Sequence, residues 1–262
     1  MTTATDHREL LRRPILDFSR LQALAREHAA GYRGAEPFPH IVLDGLVAPE
    51  VLEAVCELIP APDAPMPWRR VEARFGDGEA AQARKLGLAR ELELAPLVRR
   101  LIWELNSGAF LRFLSNLTGI QGLIPDPSLQ GSGIHQILDG GVLAVHADFT
   151  WHKVYALARR INVLVYLNHD WREEWGGNLQ LWTPDLQRCV RRILPSFGRC
   201  VIFNTSARSF HGHPEPLRCP PGITRRSIAM YYYTAGRDDE EVADTVATDW
   251  RKAPQDRLPA AE

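Results

Sequence analysis

Between residues 119 and 234 the chain is a succession of short apolar or alternating runs, each followed within a few residues by Gly, Pro, Asn or Asp. The runs cover 134–138, 142–146, 161–167, 178–182, 189–194, 199–203, 210–213 and 227–233. Closely spaced strands with turn signals between them predict a sandwich or jelly roll. That expectation constrains the rest of the chain, because one face of such a sheet needs an apolar cover.

The N-terminal half supplies the cover. Leu10, Leu11, Ile15, Leu21 and Leu24 make a helical pattern over 8–30 that Pro14 interrupts. Residues 40–43 read as a strand and 49–58 as a helix, and the proline-rich "PAPDAPMPW" reads as a loop. Residues 96–118 carry Leu97, Leu101, Ile102, Leu105, Phe110, Leu114 and Leu117 on one stripe, with Gly119 as a stop. The predicted fold is therefore mainly β with α: a double-stranded β-helix core, jelly-roll and cupin-like, covered by N-terminal and mid-chain helices. Its parts within one domain, 1–262, are a helical segment (1–37), a strand with supporting helices (38–130), the core (131–234) and a charged tail (235–262) at the surface or frayed.

Composition narrows the function classes. A formal net charge of −1 argues against nucleic acid or an anionic membrane as the main partner. No stretch reaches the ~18 apolar residues of a membrane span, and "MTTATDHRELLRRPILDFSR" lacks an export signal's apolar region, so the expected location is cytoplasmic. Cys56, Cys189, Cys200 and Cys219 are spaced as neither a zinc ribbon nor a disulfide framework and read as buried thiols.

The chemistry starts at "GGVLAVHADF", where His146 and Asp148 would share one strand face. With 9 His and 32 acidic residues in 262 positions, about one His-x-Asp or His-x-Glu arises by chance, so the pair gains meaning only from partners elsewhere. Two are available in "FNTSARSFHGHPEPL", His211 and His213. Two His and one carboxylate on one face of a metal leave positions open for substrate and oxygen, the arrangement of non-haem iron oxygenases. Beyond them "GITRRSIAMYYYT" opens a strand with Arg225 and Arg226, either able to grip a carboxylate in a bidentate pair.

On these residues the sequence resembles the Fe(II)/2-oxoglutarate-dependent oxygenases, and within them the prolyl 4-hydroxylase-like branch. The likeness covers about 38–234, most specifically 131–234: "HAD", then "RINVLVYLNHDWREEWGGNLQLW", then "SFHGHPEPL" and "RRSIAMYYY" in family order. It implies His146, Asp148 and His211 as ligands of Fe(II), with His213 the other candidate; Leu217, six places after His211, favours His211. It implies Arg225, two before Ser227, as anchor of the distal carboxylate of 2-oxoglutarate, and Arg226 as an outward charge. Tyr166 would reach the same carboxylate or serve as core. Many prolyl 4-hydroxylases carry a tyrosine three places before the first His, where this chain has Leu143, which makes Tyr166 or Asn162 the replacement.

The implied reaction uses O2 and 2-oxoglutarate, with ascorbate as a possible reductant, releases succinate and CO2, and returns a hydroxyl. The carboxylate of Asp148 favours hydroxylation over halogenation. The expected substrate is a small molecule or amino-acid derivative; a prolyl or other residue of a peptide is the alternative. A non-catalytic β-helix binding domain and a cupin without keto acid are the rival classes. Selectivity is expected from 61–95, 125–133 and 149–159, where Arg69, Arg70, Arg74 and Arg84 either meet an acidic group or are solvated. Gly176 and Gly177 read as a turn, Trp171, Trp175 and Trp182 as packing, and His135 and His152 as surface, core or pocket border.

Overall fold

The computed structural model describes residues 7–126, 128–237, 245–252, 254, 259 and 261–262. The expected absence of an export signal rests partly on residues 1–6, which lie outside the described residues, as do residues 238–244, 253, 255–258 and 260 of the predicted tail. In chain order the elements are α1 (His7–Leu10), α2 (Phe18–Arg33), β1 (His40–Asp44), α3 (Pro49–Leu58), β2 (Arg69–Arg74), β3 (Ala80–Leu88), α4 (Pro96–Leu105) and α5 (Gly108–Thr118). There follow β4 (Ile124–Pro125), β5 (Gly133–Ala147), β6 (Trp151–His152), β7 (Leu157–Tyr166), β8 (Leu179–Trp182), β9 (Cys189–Ile193), β10 (Arg199–Asn204), β11 (His211–His213), β12 (Arg225–Thr234) and β13 (Asp249–Arg251).

All thirteen strands join one curled antiparallel sheet whose main path runs β1-β10-β7-β12-β5-β11-β8-β9. Strand β5 carries the curl. Its first half pairs β12 through Ile137↔Arg225 to Gly133↔Ala229, and its second half pairs β11 at His146↔His211. The two runs expected at 134–138 and 142–146 are thus one strand that turns through Gly140 and Gly141; a Cβ at Gly141 would meet Ile137 Cγ2 at 2.4 Å. The result is the double-stranded β-helix.

Period-2 alternation divides the two faces. On β7, Ile161, Val163 and Val165 face a core shared with Leu101, Leu105, Phe110 and Leu114 of the helices, each full burial worth about 1.5–3 kcal/mol. The intervening Asn162, Leu164 and Tyr166 face the inside of the curl.

Three expectations need correction. The stripe over 96–118 is two helices, because Ser107 caps α5 by accepting the Phe110 N–H at 3.3 Å, while the end at Gly119 holds, with φ +83°. Residues 69–88, expected as loop or cap, form the β2–β3 hairpin, which pairs with β5 at Leu88↔Ile134 and Lys85↔Ile137 and walls the interior. Part of the tail returns: β13 pairs β5 at Trp250↔His146, and Lys252 reaches Asp77 at 2.6 Å, with Glu79 beside it, at the hairpin tip. No helix among the described residues is long and apolar enough to cross a membrane.

Candidate active site

Inside the curl lies a cavity of about 530 Å³. His146, Asp148 and His211 converge on it, with one ligand atom from each all within 4.8 Å of one another. Antiparallel pairing sets His211 directly across from His146, ring centroids 4.4 Å apart, and Asp148 follows two places after His146 on the same side. His146 Nδ1 donates to the Ala144 carbonyl at 2.9 Å and His211 Nδ1 to the Ser209 carbonyl at 2.9 Å. Both rings are thereby fixed with Nε2 as the free donor atom, each 3.6 Å from an Asp148 oxygen. A borderline divalent metal suits this N,N,O set.

The second histidine of the "HGH" run goes elsewhere. His213 is 1% exposed, lines the same cavity near Arg225, and neither of its ring nitrogens has a partner. Both histidines face inward because they lie two apart on β11, while the extra residue of the register shift between His211↔His146 and His213↔Leu143 lies on β5. Gly212 makes this possible, since a Cβ there would meet the Ala144 and Leu143 carbonyl oxygens at 2.7 Å.

Asp148 is held by a network the sequence did not reveal. Arg159, 2% exposed, sets Nη2 3.0 Å from Asp148 Oδ2, and Asn162 Nδ2 donates to the same oxygen at 2.8 Å. Arg159 also donates to Asn162 Oδ1 at 2.8 and 3.1 Å and lies over the Tyr231 ring, 3.6 Å from its centroid. Burial alone would raise the Asp148 pKa, but Arg159 and the two imidazoles hold the carboxyl well below its usual range. Asn162, expected at the cosubstrate carboxylate, thus has its hydrogen bonds committed to Asp148, Arg159 and Thr205.

Arg225 stands on another wall, 5% exposed. Its Nε donates to the Gly177 carbonyl at 2.7 Å and its Nη2 to the Tyr166 hydroxyl at 3.3 Å, and no carboxylate among the described residues pairs with it. A buried guanidinium without a counter-charge is costly unless an anion completes it. Together with the two orphaned nitrogens of His213, it fits a carboxylate ligand such as the distal end of a keto diacid. Tyr166 is not on the cavity wall; it backs Arg225 and would act through it. Arg226, on the other strand face, donates to Thr224 at 3.1 Å.

Of the arginines singled out in 69–84, Arg69 lines the cavity while Arg70, Arg74 and Arg84 point away. Lys85 lines it and was not foreseen, nor was Trp250, whose ring packs 4.9 Å from that of His146. His135 borders the pocket; His152 lines a side crevice and packs against the Tyr155 ring, centroids 4.9 Å apart. Of the tryptophans, Trp182 is buried and donates to Gln180 at 2.9 Å, and Trp171 packs against Trp175.

The buried imidazoles predict an acid response. Burial, reinforced by His146, lowers the His211 pKa from 6.5 to about 4, and burial with nearby Lys85 and Arg225 pushes His135 and His213 well below 6.5 as well. Between those values the unfolded chain binds protons that the folded chain refuses, so stability falls as pH falls; for His211 alone the loss is on the order of 3 kcal/mol. Urea unfolding of the metal-free protein at pH 7 and pH 4.5 should show a lower midpoint in acid. An unchanged midpoint would contradict buried neutral histidines.

The sequence model of the 2OG-Fe(II) oxygenase superfamily matches residues 132–233. A prolyl 3-hydroxylase, OGFOD1 of Mus musculus, is 35% identical over 79 residues, which are 29% of this chain and 14% of that protein, so the match spans a small part of the relative's length. Similar solved structures include prolyl 4-hydroxylase from Phytophthora capsici (19% identity, 84% of this chain and 66% of that one, TM-score 0.57). A prolyl hydroxylase from Trichoplax adhaerens, in complex with a hypoxia inducible factor peptide fragment, gives 16% identity, 82% and 91% coverage and a TM-score of 0.55. HygX from Streptomyces hygroscopicus, with nickel, 2-oxoglutarate and hygromycin B bound, gives 13%, 86% and 97%, and 0.53. At these identities the structures speak to the shared fold.

Proposed function

Because residues 132–233 belong to the 2OG-Fe(II) oxygenase superfamily, we propose that this chain is an Fe(II)- and 2-oxoglutarate-dependent dioxygenase that hydroxylates a C–H bond of a small molecule or amino-acid derivative. The observation that carries the reading is that one cavity holds both the His146, Asp148 and His211 donor set and the unpaired guanidinium of Arg225. A structural metal site would be closed by a further ligand and would not need Arg225.

Nε2 of His146, Nε2 of His211 and one carboxylate oxygen of Asp148 would hold the metal, and Arg225 would pair with the distal carboxylate of the cosubstrate. Bound there, iron(II) and 2-oxoglutarate supply activation of O2, with oxidative decarboxylation to succinate and CO2 and insertion of one oxygen atom into the C–H bond. Arg159 and Asn162 fix Asp148 Oδ2, so the carboxylate keeps its orientation. Gly177 leaves room for the Arg225 stem and accepts from its Nε. Leu143, Leu164, Leu179 and Phe203 give the cavity apolar walls that restrict water around the reacting centre.

The test is anaerobic titration of Fe(II)-loaded protein with 2-oxoglutarate, following the weak visible charge-transfer band, in wild type and Arg225→Ala. The expected result is a band requiring both components and weakened at least tenfold in apparent affinity in the variant. Folded, metal-loaded wild type without the band would overturn the assignment and favour a binding domain or a cupin without keto acid. Succinate release then screens small molecules; proline-containing peptides belong in the same screen, because the identity to a prolyl 3-hydroxylase favours that second reading.

A further inference from the structure

The cavity holds a second cation on its inner wall that the proposed chemistry does not use. Lys85 is half-buried and lines the cavity, and its ammonium makes no hydrogen bond or ion pair with a described residue. Its neighbours do not neutralise it. It sits close enough to Asp148, Arg159 and Arg225 for their charges to act on it, yet Asp148 is already engaged by Arg159 and by Asn162. Arg69 adds a further positive charge at the same wall, and the carboxylates lining the cavity are Asp148 and Glu72.

The backbone directs Lys85 there by an irregularity. Gln82, Lys85, Gly87 and Ala89 all line the cavity, so the inward positions step by three and then by two. The odd step falls at Arg84, which has φ +58°, where the pairing with β2 runs from Ala73↔Gln82 to Val71↔Lys85, three residues of β3 against two. A regular strand would turn Lys85 outward whenever Gln82 faces in; the extra residue reverses its direction. A non-glycine residue in this region costs about 1 kcal/mol or more and persists where the surroundings impose it.

We infer that Lys85 forms an anion-binding subsite, separate from Arg225, that receives a carboxylate of the primary substrate. The inference rests on the oxygenase reading only for the assignment of Arg225 to the cosubstrate. A divalent metal and a dianionic keto acid cancel one another's charge, and Asp148 cancels Arg159, so Arg225, Lys85 and Arg69 together face Glu72 with positive charge left over. An ammonium in such a site wants a carboxylate partner, worth more there than in water. Burial lowers the Lys85 pKa to about 8 while Asp148 opposes the shift, so the charge is present at neutral pH.

Zinc-loaded protein saturated with 2-oxoglutarate would be presented with pairs of N-acetyl amino acids and their primary amides, with binding read by saturation-transfer NMR. The acid of at least one pair should be retained at least tenfold over its amide, and the preference should vanish in Lys85→Gln and in Lys85→Met, with circular dichroism confirming the fold. Titration of 2-oxoglutarate into the zinc-loaded variants should give an affinity within about threefold of wild type, against a loss of thirtyfold or more in Arg225→Gln. No acid retained, amides bound as well as acids, a preference that survives the variants, or a cosubstrate loss in Lys85→Gln matching that of Arg225→Gln would each overturn the subsite. Unimpaired 2-oxoglutarate binding in Arg225→Gln, or none in wild type, would instead count against the oxygenase reading.

Discussion

Replacing Arg159 with Met should destabilise the metal-free protein by about 3–5 kcal/mol, the cost of leaving one charge of a buried pair uncompensated. Asp148 lies 3.0 Å from Arg159 Nη2 in a site where the arginine is 2% exposed, so solvent does little to screen the pair. Removing the guanidinium also strips two donors from Asn162 Oδ1 and the cation from the face of Tyr231. Asn162 still donates to Asp148, but one neutral hydrogen bond does not replace a cation. The carboxylate is the source of the penalty, so Asp148→Asn in the same chain should return much of the loss. Urea unfolding of wild type, both single variants and the double variant gives the cycle directly: the double should be less destabilised than the sum of the singles by 2 kcal/mol or more. Simple additivity would mean that the two groups do not depend on each other.

Much of this site was legible because its spacing is that of an ordinary strand. His146 and Asp148 lie two apart and project together, and Asn162, Leu164 and Tyr166 share the inner face of β7 as alternation requires. What escaped notice sits where alternation breaks. Arg159 and Asn162 are three apart, yet meet at 2.8 Å because the pairing with β12 shifts between Tyr232↔Ile161 and Tyr233↔Arg159, leaving Arg160 as the extra residue. Lys85 follows the same rule at Arg84, where β3 spends three residues, from Gln82 to Lys85, against two of β2. A bulge is a property of two strands, and nothing in the residues of one of them announces it. The β2–β3 hairpin was missed for a different reason: Ala80, Ala81 and Ala83 lack the branched side chains that mark strands, although the Gly76-Asp77-Gly78 turn was readable. Trp250 depends on pairing across more than a hundred residues, which local pattern does not encode.

Gly177→Ala should lower the affinity of metal-loaded protein for 2-oxoglutarate at least tenfold, while Gly176→Ala leaves it nearly unchanged. Both glycines have positive φ, +75° and +71°, so an alanine is strained at either, and Gly176, with ψ −156°, lies in a region essentially confined to glycine. Their surroundings differ. A Cβ at 176 meets only the Pro216 carbonyl oxygen, at 3.6 Å. At 177 it would lie 2.7 Å from Leu217 Cδ2 and 2.9 Å from Arg225 Cδ. Leu217 can rotate away at modest cost, but the Arg225 stem is held by the bond from Nε to the Gly177 carbonyl at 2.7 Å and by Tyr166 behind it. The guanidinium must therefore move, and a displacement of even part of an ångström spoils a bidentate carboxylate pair. Calorimetric titration of 2-oxoglutarate into both variants separates the contact from the strain, since thermal midpoints should fall in both and affinity in one. Equal affinities in the two variants would show that Gly177 is needed for its turn alone and that Arg225 tolerates the shift.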